Sequence, residues 1–246
     1  MVEDTPPQVR VPVHPHSPSS PTELVMIVHH SHASVVLSPQ SAARGGLPSE
    51  KTTLSVPLKR ALDVPTALLL LAALGPLMLL IAVLIRVTSP GPALYTQTRV
   101  GRRGRRFRIY KFRTMHDEAE SATGPVWSHA RDPRQTSLGW LLRRLSIDEL
   151  PQLINVVKGD MSLIGPRPER PIFVDRFQQR LEGYEVRHEM LPGITGLAQV
   201  NGWRGDTSIQ RRLQYDVYYV QHWSPLLDAR VLAQTPLEIL RGLYAS

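Results

Sequence analysis

The sequence predicts a mostly α-helical protein with one small β-hairpin. It predicts a monotopic membrane protein with a proline-kinked re-entrant helix and surface amphipathic helices. Three observations predict this. Residues 64–85 form an uncharged run of 22 residues, VPTALLLLAALGPLMLLIAVLI, long enough to cross a hydrocarbon core as a helix. Basic residues stand on both sides of that run. Beyond residue 135, apolar residues recur at helical spacing in stretch after stretch.

Residues 1–57 hold nine of the 22 prolines and five of the nine histidines, with many Ser and Thr. They read as a disordered extension. The short runs 24–28 and 35–37 are candidates for a strand or a docking segment, and neither is long enough to span a bilayer. His14, His16, His29, His30 and His32 are potential metal ligands, but they read more simply as scattered residues of a flexible tail. The start lacks the basic-then-apolar order of a signal peptide, and Met26 is an alternative first residue.

Residues 58–90 form the membrane segment. Gly75-Pro76 falls in the middle of the apolar run, where a proline removes a backbone bond and kinks the helix. Lys59 and Arg60 precede the run. Arg86, Arg99, Arg102, Arg103, Arg105, Arg106 and Arg108 follow it. A spanning helix cannot put both basic flanks on one side, whereas a helix that enters, bends at Pro76 and returns can. A buried core helix is the plainer alternative.

Residues 91–246 form the remaining domain. Residues 93–97 and 107–112 predict two short strands around a turn at 100–104. Arg99 to Arg113 carries eight cations and no acid. Beside a membrane segment such a run attracts anionic lipid headgroups. Residues 116–135 read as a mobile loop. Helices are expected over 136–145, after Asp148 to Gly159, over 170–182, over 207–222 and over 224–244, the last kinked at Pro236. The glycine-rich stretch 191–203 reads as an ordered loop.

The chain has 246 residues and no cysteine, which excludes disulfides and thiolate metal sites. A net charge of +8 points to nucleic acid, anionic lipid or phosphorylated substrates. Aromatic residues are only 6%, which argues against a stacking surface for single-stranded nucleic acid, so no nucleic-acid partner is expected.

The chemistry concentrates at Arg143-Arg-Leu-Ser-Ile-Asp-Glu-Leu-Pro-Gln152 and Lys158-Gly-Asp-Met-Ser-Leu-Ile-Gly-Pro-Arg-Pro168. Asp148 and Glu149 are adjacent carboxylates with arginines on either side. Such a group can hold a divalent metal and a polyphosphate together. Ser146-x-x-Glu149 also reads as a capping box that opens a helix, with the start between Ser146 and Asp148 because of Pro151. Solvated acids on a capped helix are the plainer reading.

Six motifs in order carry a resemblance. They are Lys59-Arg-x-x-Asp63, the proline-broken apolar run, Tyr110-Lys-Phe-Arg-Thr-Met115, the two stretches above, and Pro192-Gly-Ile-Thr-Gly-x-x-Gln-Val-Asn-Gly202. Over residues 58–246 the chain resembles the bacterial sugar transferases, the monotopic phosphoglycosyl transferases that begin surface polysaccharide assembly. It resembles their shorter, catalytic-core type. The family often has Ser-Pro at the bend where this chain has Gly75-Pro76.

The resemblance implies transfer of a sugar 1-phosphate from a UDP-sugar to undecaprenyl phosphate, with release of UMP. It implies that 91–246 is catalytic and faces the cytoplasm from the bacterial inner membrane. It makes Asp148 the nucleophile of a covalent phosphosugar intermediate, with Glu149 as its acidic partner. Mg²⁺ is the expected cofactor, on Asp148 and Glu149, to neutralise the leaving group. Lys111, Arg143 and Arg167 match phosphate-binding positions. Asp216 is a candidate for binding nucleotide or sugar. Asn201-Gly-Trp203-Arg-Gly205 and the residues after it resemble the hexose-phosphate enzymes of exopolysaccharide synthesis, which suggests UDP-glucose or UDP-galactose. An enzyme specific for a UDP-N-acetyl sugar and a non-catalytic basic adaptor at the membrane surface are the alternatives. The oligomeric state stays open, a homo-oligomer included.

Overall fold

The computed structural model describes residues 50–117, 119, 132–205 and 207–244. The expected extension lies outside the described residues up to 49, as do its histidines, its two apolar runs and Met26. So does most of the expected mobile loop, whose base is closed by a bridge between Met115 and Gln135.

Eleven helices and strands organise the described residues. A long helix α1, Glu50–Thr88, leads into an antiparallel hairpin of β1, Leu94–Val100, and β2, Arg106–Phe112. Then follow α2, Ser137–Arg144, α3, Gln152–Lys158, β3, Ser162–Ile164, and α4, Pro171–Gln178. The chain ends with β4, Gly193–Thr195, α5, Leu197–Val200, α6, Ile209–Gln221, and α7, Pro225–Tyr244. The result is mostly helical with two small sheets, as expected, save that the second sheet was not foreseen.

The α1 helix starts at Glu50, inside the region expected to be an extension, and continues through Pro57, Pro65 and Pro76. Among apolar surroundings a helix is the arrangement that best satisfies its own backbone. Its burial marks two separate anchors. Val56, Lys59, Asp63 and Ala67 are buried at helical spacing, and so are Ile81 and Ile85 further on. Between them Leu68, Leu69, Leu70, Leu77, Leu79 and Leu80 are exposed. Val56 and Ala67 belong to the main core with Leu153, Val156, Met161 and Val231. Ile81 and Ile85 pack in another cluster, with Phe112 and Leu142.

Lys59 fastens the first anchor. Its buried Nζ donates to Asp228 Oδ2 at 2.6 Å and to Tyr219 Oη at 2.9 Å. Trp223 Nε1 donates to the same Asp228 oxygen at 3.0 Å. Asp63 accepts from Ser162 Oγ at 2.6 Å. The helix is thereby tied to α6, α7 and β3 through groups that satisfy one another, which a buried lysine requires.

The hairpin forms as expected, with Leu94 opposite Phe112 and Val100 opposite Arg106. Phe107 and Ile109 alternate inward to the main core. Asn155 of α3 reads the edge of β2. Its Oδ1 accepts from Tyr110 N at 3.0 Å, and its Nδ2 donates to Arg108 O at 2.8 Å. This fixes α3 against the strand that carries Lys111.

Thr136 caps α2, its side chain accepting from Gly139 N at 2.9 Å. Gly159 ends α3 in the left-handed conformation, as expected. The α4 helix stops at Gln178, short of the expected end. The glycine-rich stretch is more regular than a loop. It holds β4 and α5, and β3 pairs with β4 in parallel, Ser162 opposite Gly193. A Cβ on Gly193 would collide with the backbone of Gly165, so only glycine admits this approach. The α7 helix runs on through Pro236 and is apolar on two faces. Val231 and Leu227 pack inward, while Leu226, Leu232, Leu237 and Leu240 are exposed.

Candidate active site

The segment between α2 and α3 builds the site. The expected capping box does not form. Ser146 is left-handed, with φ 56° and ψ 17°, and its side chain caps nothing. Its Oγ accepts instead from Arg204 Nη1 at 3.4 Å. Residues Ile147–Glu149 make a 3-10 turn, and α3 begins after Pro151, whose φ of −61° and missing N–H suit a helix start. Successive side chains of a 3-10 turn point about 120° apart. Asp148 and Glu149, adjacent in sequence, therefore meet different surroundings.

Glu149 is locked. Its Oε1 accepts from Lys111 Nζ at 2.8 Å and from Arg167 Nη2 at 2.6 Å, and its Oε2 accepts from Arg167 Nη1 at 3.1 Å. Although burial opposes ionisation, the two cations hold this carboxyl well below its ordinary range. The forked contact also keeps Arg167 charged.

Asp148 is the opposite case. It is 6% exposed, and among the described residues no hydrogen bond fixes its carboxylate. Burial raises its pKa to about 6 against the pull of Lys111, with Glu149 adding to the rise and Arg143 and Arg167 opposing it.

Asp148 lines a cavity of about 360 Å³ together with Lys111, Arg143 and Arg167. Arg143 is aimed by Thr114, whose Oγ1 accepts from Arg143 Nε at 2.8 Å. A cavity of this size and sign suits a phosphorylated ligand.

The structure thus brings Lys111, Arg143, Asp148 and Arg167 to one cavity, with Glu149 bonded to two of them. It does not bring Asp216 there. Asp216 is buried on α6, and its Oδ2 accepts from Arg187 Nε at 3.0 Å and from Arg187 Nη2 at 2.7 Å. Arg187 Nη2 also donates to Arg167 O at 2.7 Å, and Arg187 Nη1 donates to Tyr184 Oη at 2.7 Å. Asp216 therefore stands as a support behind Arg167, through Arg187. Gly75 and Pro76 sit in the exposed apolar part of α1, and among the described residues nothing beyond the helix's own neighbouring backbone lies within 4 Å of where a Gly75 Cβ would stand. Sequence reasoning missed Thr114, Asn155 and Arg187. Thr114 alone carried a signal, as part of the Tyr110–Met115 motif.

Among the described residues no three His, Asp or Glu side chains gather to hold a metal. Glu149 gives three acceptor positions to Lys111 and Arg167, so the pair does not suit a two-carboxylate clamp. The residues fit a Mg²⁺ that takes one carboxylate, from Asp148, and completes its shell with phosphate and water.

A helix long and apolar enough to cross a membrane is joined to a cation-rimmed cavity that holds a buried acid. Sequence comparison makes this particular. The chain belongs to the bacterial sugar transferase family, which matches residues 54–242. It is 45% identical over 190 residues to a UDP-N-acetylgalactosamine-undecaprenyl-phosphate N-acetylgalactosaminephosphotransferase of Aeromonas hydrophila, covering 76% of this chain and 45% of that one. It is 41% identical over 182 residues to a UDP-glucose:undecaprenyl-phosphate glucose-1-phosphate transferase of Escherichia coli K12, covering 72% and 39%. A transferase of the same name from Caulobacter vibrioides is 46% identical over 188 residues, covering 74% and 69%. The chain therefore spans less than half the length of the first two relatives.

Proposed function

We propose that this protein transfers a hexose 1-phosphate, glucose or galactose, from a UDP-sugar to undecaprenyl phosphate, as an opening step of surface-glycan assembly. The observation that carries the reading is the contrast within the acid pair. Glu149 is saturated by cations, while Asp148 is buried, untethered and open to the cavity.

The reaction has two displacements at phosphorus. An Asp148 oxygen bonds to the β-phosphorus of the donor, and the bond from that phosphorus to the bridging oxygen breaks. UMP departs with the bridging oxygen and its electron pair. A phosphate oxygen of undecaprenyl phosphate then attacks the aspartyl phosphosugar and returns Asp148 as a carboxylate. Lys111, Arg143 and Arg167 surround the transferring phosphate and stabilise its charge. Glu149 keeps Lys111 and Arg167 in place. Mg²⁺, where bound, supplies further charge neutralisation at the leaving phosphate.

The relatives' names support the reaction type and divide over the sugar. The name of the Aeromonas relative favours a second reading, an N-acetylhexosamine donor. UMP release measured over a panel of UDP-sugars with undecaprenyl phosphate decides between them. With donor alone, UMP should appear in a burst of up to about one per active site, leaving a phosphosugar adduct on the protein. UMP that appears only with the lipid present, with no adduct trapped, would make the acceptor the direct nucleophile.

The same reading places the protein in the bacterial inner membrane, monotopically, on anionic lipids at the cytoplasmic face. Support comes from the two anchors of α1, which pack on one domain. The exposed part between them, residues 68–80, is about 20 Å long as a helix, against a hydrocarbon core of about 30 Å. Cysteines placed singly at Ala61 and Val87 should both resist an impermeant maleimide in intact cells and both react after permeabilisation. Labelling of one alone in intact cells would reveal a spanning helix.

A further inference from the structure

Arg113 is a buried cation that the reaction above does not use. It is 6% exposed and lines the same cavity as Asp148. Its Nη2 donates to Ser89 O at 2.7 Å. Among the described residues its Nε and Nη1 have no hydrogen-bond partner. A guanidinium buried with two nitrogens unanswered costs free energy, and an anion in the cavity would remove that cost. Asp117 lies close by, across Gly91, but makes no ion pair with Arg113 among the described residues. Gly91 has φ +103°, and a Cβ there would collide with the Arg113 guanidinium, so the turn is shaped to the side chain.

Position says which anion. Ser89 is the first residue after α1, and Leu84 and Val87 just before it are exposed. Arg113 is thus the cavity cation tied to the chain as it leaves the apolar helix. The donor is water-soluble, and its diphosphate has Lys111, Arg143 and Arg167 around Asp148. The acceptor's phosphate is attached to a lipid and stays at headgroup depth, so it reaches the cavity from the side of α1.

We propose that Arg113 binds the phosphate of the lipid acceptor. The proposal rests on the reaction proposed above, and its test separates the two. Arg113→Gln and Arg113→Lys are prepared in the full chain in detergent, and direct binding of farnesyl phosphate and of UDP is measured for each. The loss of charge-assisted hydrogen bonds should weaken farnesyl phosphate binding about tenfold or more in Arg113→Gln, and less in Arg113→Lys. UDP binding and the UMP burst from donor alone should be unchanged, while the KM for undecaprenyl phosphate rises by a similar factor. Weaker UDP binding or a smaller burst would overturn the proposal and assign Arg113 to the donor. Unchanged binding of both ligands in a folded variant would reduce Arg113 to a structural tie on Ser89. Should the glutamine variant not fold, the lysine variant decides, since it keeps a donor for Ser89. A wild-type protein with no burst would sink the covalent reaction and leave the binding measurement standing.

Discussion

Two groups of buried charge lie on either side of Arg167, and they are built on different terms. Behind it, Asp216, Arg187 and Tyr184 satisfy one another. In front of it, Asp148 and Arg113 keep unmet capacity and face a cavity. Burial alone does not distinguish a functional group from a supporting one, since both sets are buried. Saturation does. A closed network holds the backbone in place, and an open group awaits a ligand.

The comparison can be broken most sharply at Asp148. Asp148→Asn keeps the shape and removes the proposed nucleophile. Burst and adduct should fall below detection, while the melting temperature stays level or rises, because a buried charge without hydrogen bonds has been removed. Behind Arg167 the effects should reverse. Asp216→Ala leaves Arg187 buried without its counter-charge and should cost about 3–5 kcal/mol of stability by denaturant titration. The fraction that remains folded should still release UMP from the donor.

A smaller effect is expected from pH. A carboxyl attacks only when ionised, so the burst rate should fall about tenfold per unit below the Asp148 pKa of about 6. Stability should move the other way. The folded pKa lies above the ordinary 3.8, so ionised Asp148 opposes folding. That penalty is absent below about pH 4 and develops as pH rises through 6. Asp148→Asn should flatten the stability profile in this window. The smallest effect should come from Lys158, whose Nζ donates to Tyr110 Oη at 2.8 Å in solvent. Lys158→Ala should leave melting and turnover unchanged, since exposed pairs contribute little.

Much of this was legible in the sequence. The hairpin, the Gly159 stop and the Pro225 start are local signals, and local signals survive folding. The gathering of Lys111, Arg143, Asp148 and Arg167 was legible through motifs. What failed depended on distant partners. Ser146-x-x-Glu149 has the letters of a capping box, but Arg167 and Lys111 claim Glu149 and Pro151 claims the helix start. The three-residue strands β3 and β4 are too short to show alternation. Asp216 faced inward to a partner 29 residues away in the chain, which nothing in its neighbours' sequence discloses.

The exposed middle of α1 has a mechanical side. On the monotopic reading proposed above, a stretch of about 20 Å folded back on itself would reach only about 10 Å deep, within one leaflet. Such an insertion adds area to the leaflet it enters and none to the opposite one. It should therefore enter most easily where that leaflet is stretched, and each molecule that inserts bends the bilayer toward the curvature it prefers. Under the proposed reaction, a lipid product made there would also remain in the leaflet where it was made. Its sugar then faces the side that supplied the donor, and bringing it to the other side calls for a separate class of reaction, the translocation of a glycolipid.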